Sequence, residues 1–461
     1  MTLMKSLLLG SAATLVVVAG AQAADLPTKK GAPAAEYVKV CKIGNIAGFI
    51  IPGSDTCLKI GGLVTAQTTY GSTADQYNIA TNSSGAIPGS LVVSKYARER
   101  DQIGMYTRGR ISVDAVSNTA YGPLLAHINI EGNSGGGFDS SASTAVLDGA
   151  WIQWAGITAG SHTSFFDFIG GGYAWDDLAS PKFDPTNQLA YTATFGGGFS
   201  ATLSLEQPEP AVYSQGGNNW TNEVLYGNLY NSGRLGLQSP DFVASLDVTQ
   251  GWGSAHLAGL LHQVRQYAGT LGASNEQDIN DWGWGILGGV SFNIPSLGAG
   301  ADVKLQGFYS EGALQYSHLF GGIGSFNFSG VSYDGAAADA YYNATTGSWE
   351  KPTNWGVAAQ VDLPLGPTFK VVPEVAYEEV HISGTSAVKA VNDSSLSPNV
   401  DVWVGGAVFE WTPVHNLVFD LDLLYANIHQ SAPDGWTGTG VSAWKTTADG
   451  FNGKLRIERD F

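Results

Sequence analysis

From Leu58 onward, apolar and polar residues alternate along the chain in separate runs. A strand puts successive side chains on opposite faces, so each run reads as a strand with one apolar and one polar face. In 58–70, Leu58, Ile60, Val64 and Tyr70 share one face, with Lys59, Thr65, Gln67 and Thr69 on the other. In 415–428, Phe419, Leu421, Leu423 and Tyr425 oppose Asp420 and Asp422. The run ending at Phe461 puts Phe451, Leu455, Ile457 and Phe461 on one face, with Arg459 among them, and Asn452, Lys454, Arg456, Glu458 and Asp460 on the other. The pattern predicts sixteen strands, at about 58–70, 102–117, 123–132, 145–156, 158–166, 188–195, 198–206, 241–250, 254–267, 282–294, 300–311, 353–363, 368–381, 400–412, 415–428 and 451–461. Buried in a core, each polar face would lose its water without partners. Facing a wet lumen, with the apolar faces toward lipid, none does. The pattern therefore predicts an all-β, transmembrane antiparallel β-barrel.

The connections support this. Short ones (Gly196-Gly197, Gly251–Gly253, Pro295–Gly298, Pro364–Pro367, Thr412–Val414) alternate with long ones (71–101, 207–240, 312–352, 382–399, 429–450). Membrane barrels sort their connections in this way, with short periplasmic turns and longer outer loops. Loops near forty residues would count against a compact soluble domain. By this parity the start of the barrel and Phe461 share the short-turn side. Trp282, Trp355, Trp403, Trp411, Tyr425 and Phe461 fall near strand ends, as interfacial girdles require.

Composition adds the compartment. Lys5, the apolar run Leu7–Gly20 and Ala21-Gln22-Ala23 read as a secretory signal cleaved after Ala23. The domain plan is then a signal over 1–23, an N-terminal segment over 24–57 and the barrel over 58–461. With 61 Gly, 13% charged residues and a net charge of −18, the chain is a poor match for nucleic-acid binding. Two cysteines in an exported chain, Cys41 and Cys57, suggest one disulfide, with two free thiols as the alternative. Closing so short a loop contributes ~3 kcal/mol at most.

The run around these cysteines, Val40-Cys41 followed by Gly48-Phe-Ile-Ile-Pro-Gly-Ser-Asp-Thr-Cys-Leu-Lys-Ile-Gly-Gly62, resembles the N-terminal signature of the alphaproteobacterial (Rhizobiales-type) outer-membrane porins. The aromatic ending resembles the insertion signal that barrel-assembly machinery reads, although Arg459 stands where an apolar residue is usual. The resemblance implies a homotrimer in outer-membrane lipid and a Cys41–Cys57 bridge on the periplasmic side. It also implies a third outer loop folded into the barrel. Here that loop opens Ser164-Phe-Phe-Asp-Phe168 and carries Asp167, Asp176, Asp177 and Asp184. Strands 16, 1 and 2 become neighbours on closure and bring Lys454, Arg456, Lys59, Arg108 and Arg110 to the opposite wall. Acid facing base would set a transverse field across the constriction. The alternative is that the loop acids are merely solvated and the arginines pair locally with Asp114. Other lumen acids are Asp114, Glu131, Asp302, Asp362, Glu374, Asp420 and Asp422.

Two motifs fail on context. Gly132–Gly136 matches G-x-S-x-G, but a Gly/Ser-rich loop and another strand follow it where a helix is needed. Gly283–Gly288 matches G-x-G-x-x-G inside a strand-like run with no helix behind it. The histidines show no metal-ligand spacing. No enzyme, cofactor or metal site is expected. The function expected is a water-filled channel for passive diffusion of small hydrophilic solutes and ions. A substrate-specific channel of the same fold is the first alternative. A secreted adhesin or hydrolase, extractable without detergent, is the remote one.

Overall fold

The computed structural model describes residues 39–71, 76–79, 91–94, 102–137, 144–169, 185–207, 233–268, 274, 276–316, 339–343, 346–381, 399–431 and 446–461. The signal expected over 1–23, and residues 24–38 of the 24–57 segment, lie outside them. Cys41–Phe461 forms one compact unit. Its frame is sixteen strands: β1 (Cys57–Gly71), β2 (Ile103–Thr119), β3 (Gly122–Gly137), β4 (Thr144–Trp154), β5 (Ile157–His162), β6 (Thr186–Gly196), β7 (Phe199–Glu206), β8 (Asp241–Gln250), β9 (Gly253–Ala268), β10 (Gln277–Asn293), β11 (Asp302–Glu311), β12 (Thr353–Pro364), β13 (Phe369–His381), β14 (Asn399–Val414), β15 (Leu417–Gln430) and β16 (Thr447–Asp460). Each pairs antiparallel with the next. β16 pairs with β1 from Asn452↔Gly71 to Asp460↔Leu63, which closes the barrel. The seam is tied at its end by Phe461 N–H to Gly62 O and Gly62 N–H to Phe461 O, at 3.0 and 3.1 Å.

The faces fall as the alternation requires. Leu203 is 70% exposed and Val64, Ile111, Leu246, Ile286 and Leu455 are exposed with it, all outward. Thr65, Gln67, Arg108, Glu131, Asp420 and Arg456 are buried, all inward. Outward aromatics form two belts. Trp355, Tyr377 and Trp403 pack in series toward the long-loop end, tilted to one another, with centroids 5.1 and 4.6 Å apart. Trp411–Phe419 and Trp252–Phe292 lie toward the short-turn end. Amphipathic rings at both rims suit the two membrane interfaces. Arg459 lies in the second belt, where it donates to the carbonyl oxygens of His415 and Asn416 at 3.0 and 2.8 Å. That is why a cation replaces an apolar residue there.

Three local expectations change. The fifth strand ends at His162 instead of running to 166, because Ser164 and Phe165 turn to bond Glu206. Gly132–Gly136 lies within β3, not in a loop. The turn placed at Thr412–Val414 falls at His415-Asn416, with Asn416 at φ 62. Asn tolerates this left-handed region, whereas Pro413 sits where the register shifts, a place that needs no ladder donor.

Before β1, strands Val40–Ile43 and Ile46–Ile50 form a hairpin whose second arm pairs with Cys57 and Leu58. The Cys41–Cys57 disulfide is present, with Cα atoms 5.8 Å apart.

Candidate channel constriction

One stretch of the lumen wall runs over β15, β16, β1, β2 and β3. Its charges meet across adjacent strands because antiparallel register places inward side chains opposite one another. Arg110 reaches Glu131 at 2.8 Å and Asp148 at 2.7 Å. Arg108 lies between Glu131 at 3.4 Å and Glu458 at 3.5 Å, and Thr65 donates to Glu458 at 2.7 Å. Arg456 donates from Nε and Nη2 to Gln67 Oε1 at 3.2 and 3.0 Å. Arg456 stands opposite Asp420 in register, and Lys454 opposite Asp422. Four of the predicted cations, Arg108, Arg110, Lys454 and Arg456, therefore come together, interleaved with carboxylates. Lys59 does not join them. It is exposed and opposite Asp114, while Arg110 is opposite Leu63, four residues further along. At the rise of a strand this sets Lys59 roughly 13 Å nearer the short-turn end. The arginines do pair locally, but Asp114 is held instead by His127 at 2.6 Å.

The facing stretch, over β7–β11, is covered by chain. Ser164 Oγ and Phe165 N–H both donate to Glu206, at 2.8 and 3.2 Å. Ile169 N–H donates to Gln306 on β11 at 3.0 Å. The segment after β5 thus crosses the barrel interior from β7 to β11. Phe166, wholly buried, packs with Val243, Leu260 and Leu287. Phe168 stacks on His256 at 5.5 Å, and Gly289 leaves the space its ring occupies. Asp167 lies in this crossing segment. Asp176, Asp177 and Asp184 lie outside the described residues.

A second insertion accompanies it, one the alternation did not signal. After β11, residues 312–316 turn inward and Tyr316 meets Phe166 edge-on at 5.3 Å. Tyr316 Oη and Gln315 Nε2 both donate to Asp241, at 2.9 and 2.7 Å, and Leu314 N–H donates to Asp339 at 2.9 Å. His262 lies between Asp241 at 2.8 Å and Asp339 at 3.4 Å. Burial, with Asp241 beside it, pushes the Tyr316 hydroxyl above its ordinary pKa, so it stays a donor. Two loops therefore share one apolar cluster against this wall.

The sequence brought out the arginines and the loop-3 aspartates. It placed Glu458 on the polar face without a role, and it missed Asp148, since both acquire meaning only from register, and the anchors Glu206, Asp241 and Gln306. Glu206 carried one available signal, an acid ending a strand on the lumen face.

Comparison with known proteins agrees with this architecture. A family model described as a porin subfamily matches residues 25–453. Porin Omp2b of Brucella suis biovar 1 is 31% identical over 391 residues, covering 81% of this chain and 92% of that protein. Porin Omp2b of Brucella neotomae is 30% identical, with the same coverage. The outer membrane channel DcaP of Acinetobacter baumannii superposes with a TM-score of 0.59 at 15% identity, over 90% of this chain and 100% of that one, a likeness of fold alone. With a closed barrel, a wet inner face and a family match across nearly its whole length, the chain belongs to the porin subfamily, the channels of the bacterial outer membrane.

Proposed function

We propose that the channel passes small hydrophilic solutes and ions passively, without enzymatic activity or cofactor, and with weak cation selectivity. The observation that carries this is the wall of Arg108, Arg110, Lys454 and Arg456 interleaved with Glu131, Asp148, Glu458, Asp420 and Asp422. Inward-folded chain stands across the lumen from it. Paired charges leave little net field for one ion sign. The chain as a whole carries 40 acidic against 22 basic residues, which enriches cations in the vestibules. Exposed, dispersed charges are screened beyond ~10 Å at 0.1 M salt, so the preference grows as salt falls.

Asp167, Asp176, Asp177 and Asp184 are assigned to the loop side of the constriction, and Lys59 to the periplasmic vestibule. The precursor is cleaved after Ala23, and the 24–57 segment stays on the periplasmic side. The mature chains assemble as homotrimers in outer-membrane lipid after insertion through the barrel-assembly machinery, with Phe461 in the recognised strand. The reversal potential in a KCl gradient, read in planar bilayers, tests the selectivity. A small cation-favouring potential that grows at low ionic strength is expected. A strong anion preference would overturn it. Cross-linking in detergent tests the trimer.

A further inference from the structure

The lumen wall is mostly polar or charged, yet four aromatic rings run up it in contact. Trp151 on β4 is opposite His127 on β3 in register and stacks on it, with centroids 3.9 Å apart and planes at 24°. His162, closing β5, meets Trp151 edge-on at 4.7 Å. Phe165, at the root of loop 3, continues the line at 6.1 Å from His162. Each of the four is half-buried, so each keeps a surface toward the water of the channel. The row climbs from the periplasmic half to the base of the inward loop.

Its central ring has a prepared seat. Gly149 and Gly160 flank Trp151 on the same face. A Cβ on Gly149 would stand 3.1 Å from the indole, and one on Gly160 would stand 2.9 Å from the Trp151 Cα. Gly160 also holds φ +123, a conformation other residues rarely adopt. The indole is thus seated in the space the two glycines leave, with one face on His127. Polar groups border it: Asp114 on His127, Asp148 on Arg110, and Gln153 beside Thr158.

We propose that His127, Trp151, His162 and Phe165 form a binding strip for saccharides inside the channel. A pyranose ring has an apolar C–H face that fits an aromatic face, and hydroxyls at its edge that fit the bordering carboxylate, guanidinium and amide. An apolar surface with few convergent polar groups is the composition of a small-molecule site. Successive rings let a sugar pass from one contact to the next without leaving the wall. The strip rests on the reading of the barrel as an open diffusion channel and adds a solute class to it.

The test is single-channel current in planar bilayers with maltohexaose, against polyethylene glycol of equal hydrodynamic radius as the control for pore width. Maltohexaose is expected to interrupt the current saturably in the wild type, and the glycol is not. Trp151→Ala is expected to raise the half-blocking sugar concentration roughly three- to tenfold, the worth of one aromatic contact. Trp151→Phe should keep part of the block. His162→Ala should weaken it as well, and covers the case in which Trp151→Ala fails to fold. Heat-modifiable mobility reports folding for each variant. Normal ion conductance with no saturable block, or equal block in wild type and variants, overturns the strip alone. Absence of any conductance in the wild type overturns the channel reading, and the strip with it.

Discussion

The lumen has two walls built from the same residue types and used in opposite ways. On β15–β3, Arg108, Arg110, Glu131 and Glu458 satisfy one another across neighbouring strands, and the barrel alone fixes where they stand. On β7–β11, Glu206, Asp241 and Gln306 bond the backbone and side chains of incoming loops, Asp241 also holding His262 of the wall. On the reading proposed above, the first wall sets charge at the passage. On the same reading the second sets its width, because what it holds is chain. An acid on the inner face of a barrel is therefore either an electrostatic element or an anchor, and its nearest partner decides which.

This contrast predicts a graded series of effects. Truncating Phe166→Ala removes a wholly buried ring from the cluster that both loops share. A loss of ~3–5 kcal/mol from loop docking is expected. Single-channel conductance should rise markedly while heat-modifiable mobility shows an intact barrel, and unchanged conductance would sink the second wall's role. Glu206→Ala leaves the Phe165 N–H and Ser164 Oγ without their carboxylate, at ~1–3 kcal/mol. Conductance should move the same way by less, with Glu206→Gln in between. On the first wall, Arg108→Gln with Arg110→Gln frees the carboxylates of Glu131, Asp148 and Glu458. A unit charge at contact changes an ion's energy by about 1 kcal/mol in water, less when screened. Reversal potentials should therefore shift toward cations by a few-fold in permeability ratio, with a smaller change in conductance than Phe166→Ala gives. If the ordering of the conductance changes is reversed, the division of labour between the walls is wrong. Arg459→Ala removes two bonds to the short turn at His415-Asn416 and touches neither wall. A cost of about 1 kcal/mol, visible as a slightly lower unfolding temperature, is expected with no change in current.

The barrel was legible because alternation is local: each strand announces its two faces without reference to any other. All sixteen strands follow from it, and even the fifth, too long by four residues, is misjudged only where Glu206, far along the chain, captures Ser164 and Phe165. Contacts between strands were not legible in the same way. That Arg108 meets Glu131 and Glu458 depends on the stagger of three strands, which no single run encodes. The inward turn after β11 was hidden for another reason. Ala313, Leu314, Gln315 and Tyr316 show no periodicity, and their burial comes from Asp241 and Phe166, contributed from other parts of the chain.

The pair of bonds between Phe461 and Gly62 has a kinetic meaning. They join residues almost four hundred positions apart, so this contact has very high contact order. Until β16 finds β1, the nascent sheet presents two unpaired edges, each a template for other chains. Ring closure must wait for β16, made long after β1, and the assembling chain is exposed to aggregation in that interval. The topology itself thus leaves both edges open to wrong pairing until β16 arrives.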